Sequence, residues 1–315
     1  MMFFDQTSMM TGASRTVARA ANCPAMSWAA PGTCGEFVQG RLDGIDYLIN
    51  SPIDRFSTAT VRSARRPGIR AANPDRHSKV AQLLTMMGAP EAECDGMEIE
   101  LNSDLPAGKG MASSTADLVA AMGAAMHHLG TTALVPDVCR SLIAIEPSDC
   151  THIPGVAHVG HLCGRVFRCF LPPSGLRVLI LDCGGSVDTV AFDRARAHKV
   201  YARHEREVRD ALSLASRGLV TGDVQQLADA ATMSARLSQQ ILPKPPFEEV
   251  ERLARSAGAL GVNCAHSGSV LGILYRPGEV KPSLLSELII RELGDAVSIV
   301  GDHAFISGGI YVRRH

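Results

Sequence analysis

The stretch LPAGKGMASSTAD, residues 105–117, decides how the rest of the chain is read. Glycines stand at 108 and 110, immediately ahead of a segment that reads as a helix from Ser114 to about Leu129. A helix start presents backbone N–H groups without intrahelical partners and the positive end of the macrodipole, so it suits an anion. Small residues let phosphate oxygens approach the backbone, Lys109 supplies a positive charge, and the Ser114 hydroxyl suits a phosphate-bound Mg2+. Pro106, Ala107, Gly108, Lys109, Gly110, Met111, Ala112, Ser113 and Ser114 are therefore the candidate phosphate contacts. A plainer reading makes Ser114 to Asp117 a capping box of the type S-x-x-D, with the glycines as turn residues. Two common phosphate loops do not fit. The P-loop needs G-x-x-x-x-G-K-[ST], and the dinucleotide fingerprint needs G-x-G-x-x-G, whereas position 113 is Ser.

Outward from the loop, Met97 to Leu101 alternates apolar and acidic residues as a half-buried strand does, and a helical pattern, KVAQLLTMM, precedes it between Asn73 and Gly88. The helix after the loop closes at Gly130, and a second runs from near Pro136 to about Ile145. Residues 31–62 carry four glycines among short β-prone pieces, which predicts strands and tight turns. Arg165 to Leu171 reads as a strand, PPSG at 172–175 as a break, and Leu176 to Asp182 as a buried strand. Beyond it come helices around 193–216, 223–241 and 246–260, a strand near Val270 to Tyr275, a helix at 282–294 and a final strand around 304–313. The pattern is α+β without internal repeats, divided into an extension at 1–21 and two domains, 22–172 and 173–315.

At 315 residues the chain is long enough for about two domains at roughly 150 each. Its 46% apolar and 20% charged residues exclude disorder as the main state. With 31 Lys plus Arg against 32 Asp plus Glu there is no basic footprint for nucleic acid or anionic lipid. The longest apolar run, Leu118 to Met126, is far short of the roughly 20 residues that cross a bilayer. Nine cysteines, an odd count without a C-x-x-C pair, read as free thiols of a cytoplasmic protein. The partner expected is thus a small molecule, not nucleic acid or membrane, with a homodimer left open.

Glu146 and Asp149 sit three apart just after the second helix, so both carboxylates can face one cleft. One metal-binding and one proton-accepting carboxylate is the economical division, although the pair alone reads equally as a solvated helix end. His152, His158 and His161 fall within ten residues beside Cys163, yet their spacing matches no common zinc pattern.

The segment PAGKGMASSTA resembles the second signature of the GHMP kinases, the family of galactokinase, homoserine kinase, mevalonate kinase and phosphomevalonate kinase. Two companions follow in order: APGTCGEFVQG at 30–40 resembles the amino-terminal substrate-side motif, and GVNCAHSGSVLGIL at 261–274 resembles the carboxy-terminal Gly-rich motif. The blocks EPSDCT at 146–151, ILPKPPF at 241–247 and AHSGSV at 265–270 are similar to the branch of L-threonine kinases of cobalamin biosynthesis. The resemblance implies a two-domain fold, an amino-terminal domain like part of ribosomal protein S5 and a ferredoxin-like carboxy-terminal domain, with ATP and substrate between them. It implies that Ser114 and Glu146 hold Mg2+, that Asp149 and Lys109 act in catalysis, and that Ser267 and Gly268 form a second backbone wall. Thr33, Cys34 and Glu36 occupy the substrate-side motif, where the absence of a Gly-Glu-His run argues against a sugar. A zwitterionic amino acid needs an acceptor for its ammonium and a donor for its carboxylate, and Glu36 and Lys244 are the candidates. The activity implied is phosphorylation of the L-threonine side-chain hydroxyl. The alternatives are a kinase of homoserine, serine or ethanolamine, or a nucleotide-binding relative without turnover.

Overall fold

Asp43 and Gly44 both adopt positive φ, 51° and 78°, the arrangement that an Asp-Gly pair favours in a two-residue hairpin turn. They join β1 (Met26–Leu42) to β2 (Ile45–Ser63) in a long antiparallel hairpin. The computed structural model describes residues 26–63, 68–71, 74–86, 97–132, 135–186 and 192–314. The expected extension at 1–21 and the helix stop at Gly88 lie outside them.

Sequence alone breaks β1 into short pieces because Pro31, Gly32 and Gly35 interrupt it. In the structure these residues fall where the β1–β2 register shifts, between Pro31 and Val38. Such irregularities bend a strand and re-aim its side chains, and this bend carries the segment that faces the functional cavity.

Among the described residues, eleven strands form one sheet. The others are β3 (Gly68–Ala71), β4 (Met97–Ser103), β5 (Val156–Gly160), β6 (Arg165–Phe170), β7 (Arg177–Asp182), β8 (Gly261–Cys264), β9 (Val270–Tyr275), β10 (Ser298–Ala304) and β11 (Tyr311–Arg314). The main path runs β10-β7-β9-β8-β1-β2-β4-β3, with β11 on β1 and β5 linking β2 to β6. Among the described strands β3 and β4 pair in parallel and the other ladders are antiparallel. The β1–β2–β4–β3 portion meets the β8–β9–β7–β10 portion at Glu36 opposite Cys264, and an isolated bridge joins Ile53 of β2 to Phe305, just past β10.

The helices are α1 (Pro74–Met86), α2 (Ser113–Leu129), α3 (Val135–Ile145), α4 (Arg194–Arg203), α5 (Glu205–Thr221), α6 (Val224–Ser238), α7 (Phe247–Ser256) and α8 (Pro282–Leu293). Along α2 every residue from Thr115 to Ala125 is buried, which explains the apolar run. Its small residues Ala116, Ala120, Ala121 and Ala124 let it pack closely on β1 and β2. One large core spans the sheet with α2, α5 and α6, and a second sits under α7 and α8. No helix among the described residues is long and apolar enough to cross a membrane.

Several elements differ from expectation. The helix read at 193–216 divides at His204, because α4 buries Ala197 and Tyr201 while α5 buries Val208, Ala211 and Ala215. No Gly or Pro marks that corner. The helix read at 246–260 stops at Ser256, and β8 follows it. The final strand read at 304–313 is two strands, β10 ending at Ala304 and β11 starting at Tyr311. The short strands β3, β5 and β8 have no counterpart in the sequence reading.

Asn263 of β8 fastens the bend of β1. Fully buried, it donates to the carbonyls of Cys34 and, at 3.4 Å, Glu36. Asn263→Ala removes both bonds, leaving the Cys34 carbonyl with the Ser51 hydroxyl at 3.0 Å, and a buried polar group that loses its partner costs roughly 1–3 kcal/mol. We expect stability in urea to fall by about 2 kcal/mol or more; a loss under about 0.5 kcal/mol contradicts this role.

Candidate active site

The loop at 105–112 is shaped by three left-handed residues, Gly108 (φ 71°), Gly110 (φ 78°) and Ala112 (φ 54°), after which α2 begins. Three successive carbonyls are taken by neighbouring backbone. Lys109 O accepts from the N–H groups of Ser269 (3.0 Å) and Val270 (3.2 Å), Gly110 O from Gly35 (3.2 Å) and Met111 O from Thr33 (3.1 Å). Backbone packs directly on backbone here. A Cβ on Gly110 would lie 2.3 Å from Ala265 Cβ, and one on Gly268 would lie 2.3 Å from Lys109 O.

The start of α2 has no side-chain cap. The capping box does not form, because Asp117 is buried and accepts a hydrogen bond from the Ser57 hydroxyl of β2. The first amides of α2 therefore lack a side-chain acceptor of their own, as an anion-binding helix start requires.

Beside that helix start lies a cavity of about 260 Å³. Lining it are Ala107, Gly108, Gly110, Met111, Ala112, Ser113 and Ser114 from the loop, Glu146 and Asp149 from the turn after α3, Glu36 from β1 and Ser267. The turn is pinned by Asn50 of β2, whose amide donates to Asp149 O at 3.1 Å and whose oxygen accepts from Ala157 N at 2.7 Å. Glu146 Oε2 pairs with Lys79 Nζ of α1 at 2.6 Å, and the same ammonium reaches Ser114 Oγ at 3.3 Å. Glu36 Oε2 accepts from the backbone N–H of His266 (3.1 Å) and contacts its Nδ1 (2.7 Å), while His266 Nε2 meets Ser234 Oγ at 3.0 Å. At the far end, Asp46 is held by Arg41 and by His198, the latter at 2.7 Å.

Four carboxylate side chains, Glu36, Asp46, Glu146 and Asp149, thus line one small space. Burial, and then the charges of Glu36 and Glu146, push the Asp149 carboxyl up from 3.8 to about 8. Such a group is protonated in the ligand-free protein at neutral pH and ionises readily once a cation or a proton acceptor arrives.

The loop residues, Glu36, Glu146, Asp149 and Ser267 therefore come together as the sequence predicts. Six other predicted residues do not line the cavity. Pro106 only leads into the loop. Lys109 turns away to Asp182 Oδ2 at 2.7 Å and to the Gly185 carbonyl. Thr33 and Cys34 are buried in the bend of β1, where Thr33 acts through its backbone N–H and the Cys34 thiol points to Asn263. Lys244 is buried and donates to Ala265 O at 2.7 Å, bracing the turn instead of facing a ligand. Gly268 backs the loop. Of the histidines, His152 contacts Cys139 Sγ at 3.1 Å, His158 packs against Tyr47 and Phe167, and His161 lines the cavity. No group of three metal-ligating side chains forms among the described residues. Sequence reasoning missed Lys79, Asn50, Tyr201 and the cavity role of His161, which no motif marks.

Between pH 3.8 and about 8 the folded protein retains a proton on Asp149 that the unfolded chain has released. Stability therefore falls as pH rises through that window. Asp149→Asn removes this titration. We expect the melting temperature of the ligand-free variant to exceed that of the parent by more at about pH 9 than at about pH 5; a pH-independent difference contradicts the assignment.

The sequence pattern of the GHMP kinases N terminal domain matches residues 77–155, which include the loop, α2, α3 and both acids. The L-threonine kinase of Salmonella typhimurium strain LT2 is 30% identical over 244 residues, 78% of this chain and 81% of the relative. That of Citrobacter freundii is 31% identical over 245 residues, 78% of this chain and 84% of the relative. Among solved structures, homoserine kinase from Cytophaga hutchinsonii superposes with a TM-score of 0.67 at 17% identity, covering 95% of this chain and 100% of its own. With two L-threonine kinase relatives at 30–31% identity, 81–84% of whose length is covered, and the family pattern over the loop, the helix start and the acids, the chain belongs to the GHMP kinases.

Proposed function

We propose that this kinase transfers the γ-phosphoryl group of ATP to the side-chain hydroxyl of free L-threonine, giving O-phospho-L-threonine for the aminopropanol linker of adenosylcobalamin. The observation that carries the reading is the meeting of an uncapped helix start with Ser114, Glu146 and Asp149 in one cavity. The two L-threonine kinase relatives support the choice of acceptor. The 22–172 portion supplies the phosphate loop and the acids, and the 173–315 portion supplies α4 and the turn at Ser267.

Phosphoryl transfer depends on alignment and charge neutralisation more than on covalent help from the protein. The α2 amides and the loop backbone receive the triphosphate oxygens. Ser114 and Glu146 offer a hydroxyl and a carboxylate oxygen, donors that suit Mg2+, and the Lys79 ammonium, which contacts both, supports reading the position as one that favours positive charge. Mg2+ bound there supplies neutralisation of the charge that develops on the phosphates. In its ionised form, its own proton released to solvent, Asp149 accepts a hydrogen bond from the threonine hydroxyl and orients its oxygen at the γ-phosphorus. As the new P–O bond forms, the bond to the β-phosphate oxygen breaks, ADP departs, and the hydroxyl proton passes to Asp149, whose raised affinity for protons matches that task.

We expect threonine-dependent ADP release with phosphothreonine detected by mass spectrometry. Ser114→Ala and Glu146→Ala should each lower kcat/KM for ATP by about a hundredfold or more, and Asp149→Asn should lower kcat by about a hundredfold with little change in threonine KM. Release stimulated by homoserine, serine or ethanolamine but not by threonine would reassign the substrate, and parent rates in all three variants would discard the site.

A further inference from the structure

Two residues that line the cavity carry a buried polar atom with no partner among the described residues: the hydroxyl of Tyr201 on α4 and Nδ1 of His161, just after β5. Tyr201 is only 2% exposed. A buried hydrogen-bonding group left unpaired is costly, and native proteins seldom keep one without a use for it. Both groups are uncharged at neutral pH, since burial pushes the phenol well up and the imidazole down to about 4. The phenol therefore offers a hydrogen-bond donor, and the imidazole offers one through Nδ1 in the tautomer that leaves Nε2 as the acceptor.

Their place in the cavity indicates what the ligand presents. Tyr201 and His161 line the same cavity as Asp149 and Glu36, together with the cationic Arg194 and the anionic Asp46. A β-hydroxy-α-amino acid displays hydroxyl, ammonium and carboxylate around two adjacent carbons. With its hydroxyl at Asp149 and its ammonium at Glu36, the carboxylate falls to the third position and requires donors there. Lys244 is already spent on the Ala265 carbonyl.

We propose that the Tyr201 hydroxyl and the Nδ1–H of His161 hydrogen-bond the substrate carboxylate, so that this end of the cavity selects α-amino acids over amino alcohols with the same hydroxyl. The inference rests on the kinase reading above and adds the groups that recognise the acceptor. Because neither donor holds anything among the described residues, removing one weakens binding without weakening the fold.

Calorimetry with L-threonine and with 1-amino-2-propanol, which is threonine with hydrogen in place of the carboxylate, tests this in the parent, Tyr201→Phe and His161→Phe. We expect the parent to bind threonine at least tenfold more tightly than the amino alcohol. In Tyr201→Phe that ratio should shrink about tenfold while the melting temperature stays level or rises, the reverse of what a structural hydroxyl would give. His161→Phe should narrow the ratio in the same direction. An undiminished ratio in both variants, with threonine still phosphorylated, overturns the inference and leaves the kinase reading intact; it is also the result expected if the two atoms meet only water. A parent without carboxylate preference overturns it as well. A parent that ignores threonine but binds L-homoserine more tightly than 3-amino-1-propanol, a preference that Tyr201→Phe abolishes, removes threonine as the substrate and upholds the inference.

Discussion

Backbone on backbone contact at Gly110 and Gly268 is the constraint on which the rest depends. The carbonyls of Lys109, Gly110 and Met111 are consumed by β1 and by the turn before β9, and no side chain fits between the two layers. With these three acceptors committed, the loop becomes a fixed platform leading into α2. The left-handed Ala112, an uncommon conformation for a residue with a Cβ, is tolerated because the surrounding bonds leave the chain no other course. The same layer of contacts bends β1, and the bend places Glu36 opposite Cys264 at the join of the two sheet portions.

The platform is then surrounded by negative charge. Glu36, Glu146 and Asp149 occupy a space in which they cannot all ionise without cost. The protein relieves this in different ways: an ammonium on Glu146, a histidine on Glu36 and a retained proton on Asp149. The arrangement is unfavourable in the empty molecule and becomes favourable when positive charge enters. A magnesium nucleotide and the ammonium of an amino acid supply such charge, so part of the binding energy is held ready in the folded state.

Much of this was legible in the sequence because glycine and helix periodicity report local backbone requirements. The glycines at 108 and 110, the apolar run of α2 and the acids after α3 can all be read without knowing any partner. What escaped reading depends on partners distant along the chain. Lys79 lies in an ordinary helical pattern, and only the packing of α1 brings it to Glu146. Lys244 looks like a surface charge or a ligand until the turn carbonyl that it braces is seen. Tyr201 and His161 carry no motif, since their significance lies in the bonds they do not make. The bend of β1 reads as broken strands because periodicity presumes a straight ladder, and the division at His204 has neither Gly nor Pro to announce it.

The unpaired Tyr201 hydroxyl also bears on how such enzymes diverge. Most residues that touch a ligand double as struts, so natural selection altering them must first find a compensating change to keep the chain above its folding threshold. A tyrosine whose terminal oxygen serves no neighbour escapes that restriction. Its lineage can lose or regain the oxygen in single steps, and the repertoire of accepted metabolites can drift while the scaffold persists unchanged.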